Sequence, residues 1–507
     1  MTGGVLKRVL AGPVDPDRRL RVARIDGTTE VTLGDLHERA GRIARWLLDR
    51  GVGPGDRVGI LARNSLEWVA LDLASLRVGA VVAGLEPDKF VHDPEFAHRY
   101  GLGLVVSDRP DVRDAVPIEE VRRAAGSVPA TRPPAPVEWG ARDTPALKFT
   151  SGSTGVPKAL AASAGSIESS LAAVQDMFGH GPGDDLFVFL PLSLLQQRYW
   201  IYSALAFGHD VTVSTYEAAY AAVGGCRPTV VMGVPGFYET ARHQIERRAA
   251  RVGGDPRTAR RSAARAILGD RIRYLWTGSA PAATSVLDFF EECGLAIYEG
   301  YGLNETCIVS KNCPQAHRKG SVGRVLPGKR VEIDPDGVIV VHMAHPVAES
   351  YLYAEPGASD RVFGPGGAVR TGDVGYLDDE GFLHVQGRAD DILVLGNGRK
   401  VNVRPIEENL RSESCVQECV VYCPDETELV AVVSPAEGAR STDVATALAV
   451  ANSRSRPDEW ISRAVLAHES FTVQNELLTS QFKPRRNRIH DVYRTEIHDR
   501  KEGVHAA

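Results

Sequence analysis

Apolar residues at Leu36, Ala40, Ile43, Ala44 and Leu47 recur at three- and four-residue intervals after Thr32-Leu33-Gly34-Asp35. That spacing predicts a helix with one buried face. Gly51 and Gly53-Pro54-Gly55-Asp56 stop it, and Arg57-Val58-Gly59-Ile60-Leu61 then reads as a buried strand. Asn64-Ser65 caps a second helix running through Trp68, Leu71 and Leu76. Strand–helix alternation continues past residue 200, which favours parallel sheets with helices on their faces. The texture then changes. Val338-Ile339-Val340-Val341, with turns at Pro335-Asp336-Gly337 and Asp379-Glu380-Gly381, predicts short strands and hairpins. Residues 388 to 507 are charge-rich and mix short strands with helices, so a boundary is expected near Gly387-Arg388, giving domains 1–387 and 388–507. Gly126 to Pro136, rich in Pro and Ala, reads as a surface connection.

At 507 residues the chain has room for about two to four domains. A net charge of −6 argues against a nucleic-acid partner, which leaves a basic footprint. No apolar run is long enough for a membrane span, and Met1 to Gly12 lacks the apolar core of a signal peptide, so a cytoplasmic location is expected. Seven cysteines, an odd number thinly spread, speak against a disulfide framework. Cys415, Cys419 and Cys423 are evenly spaced in a β-branched, aromatic-rich segment. There they would share one strand face as small hydrophobes rather than hold a metal.

Candidate chemistry concentrates in Phe149-Thr150-Ser151-Gly152-Ser153-Thr154-Gly155-Val156-Pro157-Lys158. Glycines allow a tight turn and close approach to a ligand. Hydroxyl and N–H groups donate hydrogen bonds, and a lysine adds a point charge. Together they suit an oligophosphate with a divalent cation nearby. Ser/Gly richness alone would fit a flexible surface loop, but a linker has no need of the ordered Gly-Val-Pro-Lys ending. Nor does the run match the Walker pattern, since no Gly-Lys-Ser/Thr opens a helix.

This loop resembles the signature of the AMP-forming adenylating enzymes, and further motifs of that superfamily follow in order. Gly51 to Gly79 is similar to its N-terminal signature, Gly278-Ser279-Ala280-Pro281 to its adenine-binding turn, and Tyr298-Glu299-Gly300-Tyr301-Gly302-Leu303-Asn304-Glu305-Thr306 to its Tyr-Gly-x-Thr-Glu motif. Thr371-Gly372-Asp373 resembles the ribose motif, Gly387-Arg388-Ala389-Asp390-Asp391-Ile392 the hinge, and Leu478 to Arg486 the C-terminal lysine motif. Leu190-Pro191-Leu192-Ser193-Leu194 and Gly233-Val234-Pro235 have the flavour of the long-chain acyl-CoA synthetase branch. The resemblance implies an α/β fold: a large N-terminal domain of stacked, mostly parallel sheets with helices and a small β-barrel-like part, then a small mobile α+β C-terminal domain.

It also implies a chemistry, attack of an oxyanion on the α-phosphate of ATP with release of pyrophosphate. By that resemblance Thr150, Ser151, Gly152, Ser153, Thr154, Gly155 and Lys158 hold the phosphates. Gly278, Ser279, Ala280, Pro281, Tyr301 and Gly302 form the adenine site, and Asp373 and Arg388 hold the ribose. Glu305, with Thr154, binds Mg²⁺, and Lys483 brings positive charge to the α-phosphate after a swing about Asp390. Three departures bear on the partner. Asn304 stands where the motif usually has threonine, and its amide can still donate to the α-phosphate. Leu194 and Gln197 stand where long-chain synthetases often carry His and Glu, and Val403 where they often carry proline. Leu194, Gln197, Trp200, Phe237 and Trp276 are candidate walls of the substrate pocket.

The leading expectation is an ATP-dependent acid:CoA ligase using Mg²⁺, with coenzyme A as co-substrate and an aromatic or medium-to-long-chain acid. One alternative keeps adenylation but ends in an amide, or activates nitrite to diazotise an arylamine. Another is a catalytically silent nucleotide-binding relative.

Overall fold

The computed structural model describes residues 4–90, 93–127, 132–150, 157–252, 254–389, 392–396, 400–424, 428–472, 474–478, 484–499 and 503–506. The chain divides into two compact units. One comprises Met1–Asp334, Ile339–Thr371 and Tyr376–His384; the other comprises Pro335–Val338, Gly372–Gly375 and Val385–Ala507.

The first unit contains two large sheets. A seven-stranded sheet runs in the order Tyr351–Leu352, Lys158–Ala162, Ala146–Thr150, Val81–Gly84, Arg57–Leu61, Leu104–Ser107 and Val116–Pro117. It is parallel from Val116–Pro117 through Ala146–Thr150; Lys158–Ala162 then pairs antiparallel with Ala146–Thr150, and Tyr351–Leu352 antiparallel with Lys158–Ala162. The nine-stranded sheet is ordered Arg324–Val325, Cys307–Lys311, Ile297–Leu303, Tyr274–Thr277, Val230–Met232, Asp185–Val188, Asp210–Ser214, Arg19–Arg24 and Gly27–Thr32. It too is parallel through the middle and antiparallel at both ends. The mixed α/β architecture expected from strand–helix alternation is therefore present. Lys329–Ile333 with Val338–Met343, and Phe363–Gly364 with Ala368–Leu377, form antiparallel pairs.

The first predicted helix spans Leu33–Leu48 and buries Leu36, Ala40, Ile43, Ala44 and Leu47. Thr32 Oγ1 caps it by accepting from the Asp35 N–H, an arrangement worth about 1 kcal/mol. Ser65 alone caps the next helix, Leu66–Val78, through the Trp68 N–H. Asn64 does different work: its amide donates to the Leu190 and Ser214 carbonyls and accepts from the Leu192 N–H. It thereby fixes the chain just before helix Leu195–Phe207.

The second unit is built on a four-stranded sheet, Val416–Tyr422, Leu429–Pro435, Ile461–Leu466 and Val504–His505. Helices Val403–Arg411 and Ser441–Ser453 contribute to its core. Cys419 is buried in that core, with Cys415 and Cys423 packed against it at either end of the strand. Among the described residues no His/Cys/Asp/Glu cluster could hold a metal, and no helix is long and apolar enough to cross a membrane.

Candidate active site

Strands Ile297–Leu303 and Cys307–Lys311 form a hairpin in which Leu303 pairs with Cys307, so Asn304, Glu305 and Thr306 are its loop. Thr306 closes that loop: its hydroxyl accepts from the Leu303 N–H and donates to the Cys307 carbonyl, both at 3.0 Å. Cys307 adopts φ 53°, a left-handed conformation that costs a residue with a side chain about 1–3 kcal/mol. Gly302 is required by close approach, because a Cβ there would stand 1.9 Å from the Cys307 carbonyl oxygen. Asn304 is exposed at the tip and Glu305 is half-buried.

The phosphate-loop strand and this hairpin meet at a tyrosine. Tyr351 Oη donates to Glu305 Oε1 at 2.6 Å, while the Lys158 ammonium lies 3.4 Å from the centre of the Tyr351 ring. Pairing of Tyr351–Leu352 with Ala159 and Leu160 brings them together. Burial lowers the Lys158 pKa below its ordinary value, with Glu305 opposing the shift. Thr150 Oγ1 is buried and has no hydrogen-bond partner among the described residues. Residues 151–155, including the remaining phosphate-loop candidates Ser151, Gly152, Ser153, Thr154 and Gly155, lie outside the described residues.

A cavity of about 40 Å³ opens beside the hairpin, lined by Gln197, Trp200, Met232, Trp276, Gly278, Ser279, Gly300, Tyr301, Gly302 and Ile308, among others. Gln197 Oε1 and Trp200 Nε1 are buried without a partner among the described residues. The Lys311 ammonium stacks 3.5 Å from the Trp276 ring centre and donates to the Thr277 and Tyr298 carbonyls. Leu194 precedes helix Leu195–Phe207 and Phe237 packs among Phe189, Tyr220 and Tyr238; neither lines this cavity. Ala280 and Pro281 follow Ser279, which holds φ 69°. Asn304, Glu305, Thr150 and Lys158 are not among the cavity's lining residues either.

In the second unit Arg388 Nη1 lies 3.3 Å from Asp373 Oδ1. Asp390 and Lys483 lie outside the described residues. Beside the latter, Leu478 and Pro484 form an isolated bridge, and Arg486 donates to Glu407 and to the Val421 carbonyl.

Sequence reasoning passed over the groups packed under the hairpin. Lys148, buried on strand Ala146–Thr150, donates to the Asn304 carbonyl at 2.7 Å and lies 3.7 Å from Cys307 Sγ. Lys329 donates to the Thr306 carbonyl at 2.7 Å and also to the Ile308 carbonyl. Tyr199 Oη is 3.2 Å from Cys307 Sγ. Burial raises the Cys307 thiol pKa, but the ammonium groups of Lys148 and Lys329 more than reverse that effect and hold it below the ordinary value. Burial pushes the Tyr199 phenol pKa well up. Burial also brings Lys329 down to about 8. One signal was available, a lysine inside the otherwise apolar Ala146-Leu147-Lys148-Phe149.

The AMP-binding enzyme family profile matches residues 14–346, and the AMP-binding enzyme C-terminal domain profile matches residues 390–502. The chain belongs to the AMP-binding enzymes. Among curated relatives of this AMP-binding enzyme, the long-chain-fatty-acid–CoA ligase FadD15 of Mycobacterium bovis is 29% identical over 473 residues, spanning 80% of this chain and 78% of that one. The 2-succinylbenzoate–CoA ligase of Bacillus subtilis is 26% identical over 422 residues, spanning 79% and 82%. Two solved structures share the fold. The o-succinylbenzoate CoA synthetase MenE from Bacillus subtilis, in complex with its acyl-adenylate intermediate, has a TM-score of 0.78 at 20% identity, covering 99% of each chain. ATP-bound MatB from Rhodopseudomonas palustris also gives 0.78, at 23% identity, covering 97% of this chain and 99% of that one.

Proposed function

We propose that this AMP-binding enzyme is an AMP-forming acid:CoA ligase acting on a compact carboxylic acid. The observation that carries the reading is the meeting of Lys158 and Glu305 at Tyr351, which unites a phosphate-loop cation with a Mg²⁺-type carboxylate. The buried Thr150 hydroxyl, without a partner among the described residues, supports it. Oxygen donors of this kind fit Mg²⁺, with Glu305 and Thr154 as its protein ligands beside ATP phosphates. When bound, the ion neutralises charge on the phosphates.

The acid's carboxylate oxygen attacks the α-phosphorus of ATP, and the bond to the β-phosphate breaks as pyrophosphate leaves with the electron pair. Coenzyme A thiol then attacks the acyl carbon and AMP departs. Lys158 and the Thr150–Gly155 segment hold the leaving pyrophosphate, and the Asn304 amide donates to the α-phosphate. Gly278 to Pro281, Tyr301 and Gly302 hold adenine; Asp373 and Arg388 hold ribose. In the second domain, taken as 388–507 and turning at Asp390, Lys483 supplies positive charge to the reacting oxygens. Such chemistry is positioning plus charge stabilisation.

The Trp200 and Trp276 rings, in edge-to-face contact at the cavity wall, favour a compact acid over a long alkyl chain. The cavity's Gln197 and Trp200 polar atoms, without partners among the described residues, favour one carrying a polar substituent. The same polar wall supports a second reading, adenylation of a small oxyanion such as nitrite for transfer to an amine. A pyrophosphate-release screen over fatty acids, arylcarboxylates, amino acids and nitrite, with and without coenzyme A, tests both. Acyl-CoA from a compact acid is the expected result. Release on nitrite alone selects the second reading, and no release with any acid defeats both. The cytoplasm, and a small-molecule acid without nucleic acid, remain the proposed setting and partner.

A further inference from the structure

Two lysines, Lys148 buried and Lys329 half-buried, converge on the hairpin loop that carries Asn304 and Glu305, and the adenylation chemistry makes no direct use of either. Lys148 comes from the seven-stranded sheet and donates to the Asn304 carbonyl. Lys329 opens strand Lys329–Ile333 and donates to the Thr306 and Ile308 carbonyls. The two therefore grip the backbone on both sides of Glu305. An ammonium group is costly to bury unless its protons are satisfied. Here the acceptors are main-chain oxygens of the hairpin, with Cys307 Sγ 3.7 Å from the Lys148 ammonium and 3.2 Å from Tyr199 Oη. The loop also includes a left-handed Cys307, a conformation that persists only where its surroundings over-determine it.

We propose that Lys148 and Lys329 are positioning residues that clamp the 304–308 backbone, so that Asn304 and Glu305 meet Mg²⁺·ATP in one preset geometry. The inference rests on the adenylation reading for the role of those two side chains. Lys148 lies two positions before Thr150 on the strand that enters the phosphate loop. One strand thus sets the spacing between the loop that holds the phosphates and the turn that holds the metal carboxylate. Neither Asn304 nor Glu305 is among the cavity's lining residues, so the clamp acts first on the nucleotide side of the site.

The test is Lys148→Met and Lys329→Met in the full chain, with folding checked by thermal melting. Calorimetry with Mg²⁺ and α,β-methylene-ATP reads nucleotide affinity, and acid-dependent pyrophosphate release reads turnover. Misplacing a positioned group by about 1 Å typically costs about 100-fold. Nucleotide affinity and kcat are expected to fall by about 10- to 100-fold, with KM for the acid within about threefold of native. Lys148→Gln, which keeps a donor without the charge, should give an intermediate loss and carries the test if the methionine variants do not fold. Folded variants with native nucleotide affinity and kcat overturn the clamp, as does an equal loss in acid KM. A native chain that binds the analogue but activates no acid defeats the adenylation reading instead, and the clamp is then judged on nucleotide affinity alone.

Discussion

Two of the places where the first unit buries charge treat it differently. Between helices Leu66–Val78 and Leu195–Phe207, Arg198 Nη1 bonds Asp72 Oδ1 at 3.0 Å and Tyr202 Oη donates to Asp72 Oδ2 at 2.6 Å. Every partner there is a side chain, and all are almost fully buried. Under the 297–311 hairpin, by contrast, Lys148 and Lys329 spend their protons on main-chain carbonyls. The first arrangement ties helix to helix and is self-contained; the second ties a loop to a sheet without using the Asn304 or Glu305 side chains. Burial alone therefore does not mark a functional charge. What the charge is bonded to does.

Cutting the helix tie should have the largest effect. Asp72→Ala strands a buried guanidinium, and breaking such a pair by removing one partner costs about 3–5 kcal/mol. Urea unfolding should show that loss, while the acid KM of the folded fraction stays native. Unchanged stability would erase the distinction between the two clusters. The opposite signature is expected at the hairpin. Glu305→Gln should lower kcat for pyrophosphate release by about 10²- to 10³-fold and raise the Mg²⁺ requirement, with melting near native. A variant as active as native would remove Glu305 from the site.

These contrasts also show what could be read from the residues. The helix over Leu33–Leu48 and the strand Arg57–Leu61 follow from local periodicity, which needs no tertiary information. The ordered motifs located the hairpin and the phosphate strand for the same reason, since each is a short contiguous signal. Lys148, Lys329 and Tyr351 were not legible as site neighbours, because their partners lie far along the chain and only sheet pairing brings them together. Asn64 read as a cap and is instead a tie to the Leu190 and Ser214 carbonyls, a contact that local pattern cannot carry. Phe237 looked like a pocket wall, but its aromatic neighbours claim it.

A smaller effect separates scaffold from site by pH. His209 is buried, with Nε2 on Ser203 Oγ and Nδ1 donating to the Asp210 carbonyl, and burial pushes its pKa from 6.5 to about 4. A depressed folded pKa contributes stability that is complete above 6.5 and is lost as pH falls toward 4. The swing is about 3 kcal/mol. Urea unfolding between pH 7 and 4 should fall less steeply in His209→Gln than in the native chain; parallel curves would contradict the assignment. Smallest is Tyr351→Phe, which removes a hydrogen bond to a carboxylate worth about 1.5–3 kcal/mol when buried and less here, where Tyr351 is buried but Glu305 only half so. Its signature should be a shift in Mg²⁺ dependence without a change in acid KM.

The most direct test is the identity of the nucleotide product once an activating acid is found. Mass spectrometry of a reaction lacking coenzyme A should show AMP, pyrophosphate and an acid-linked adenylate, the last consumed when coenzyme A is added. Formation of ADP and phosphate, or acid-independent cleavage of ATP, would contradict adenylation at the Lys158–Tyr351–Glu305 junction.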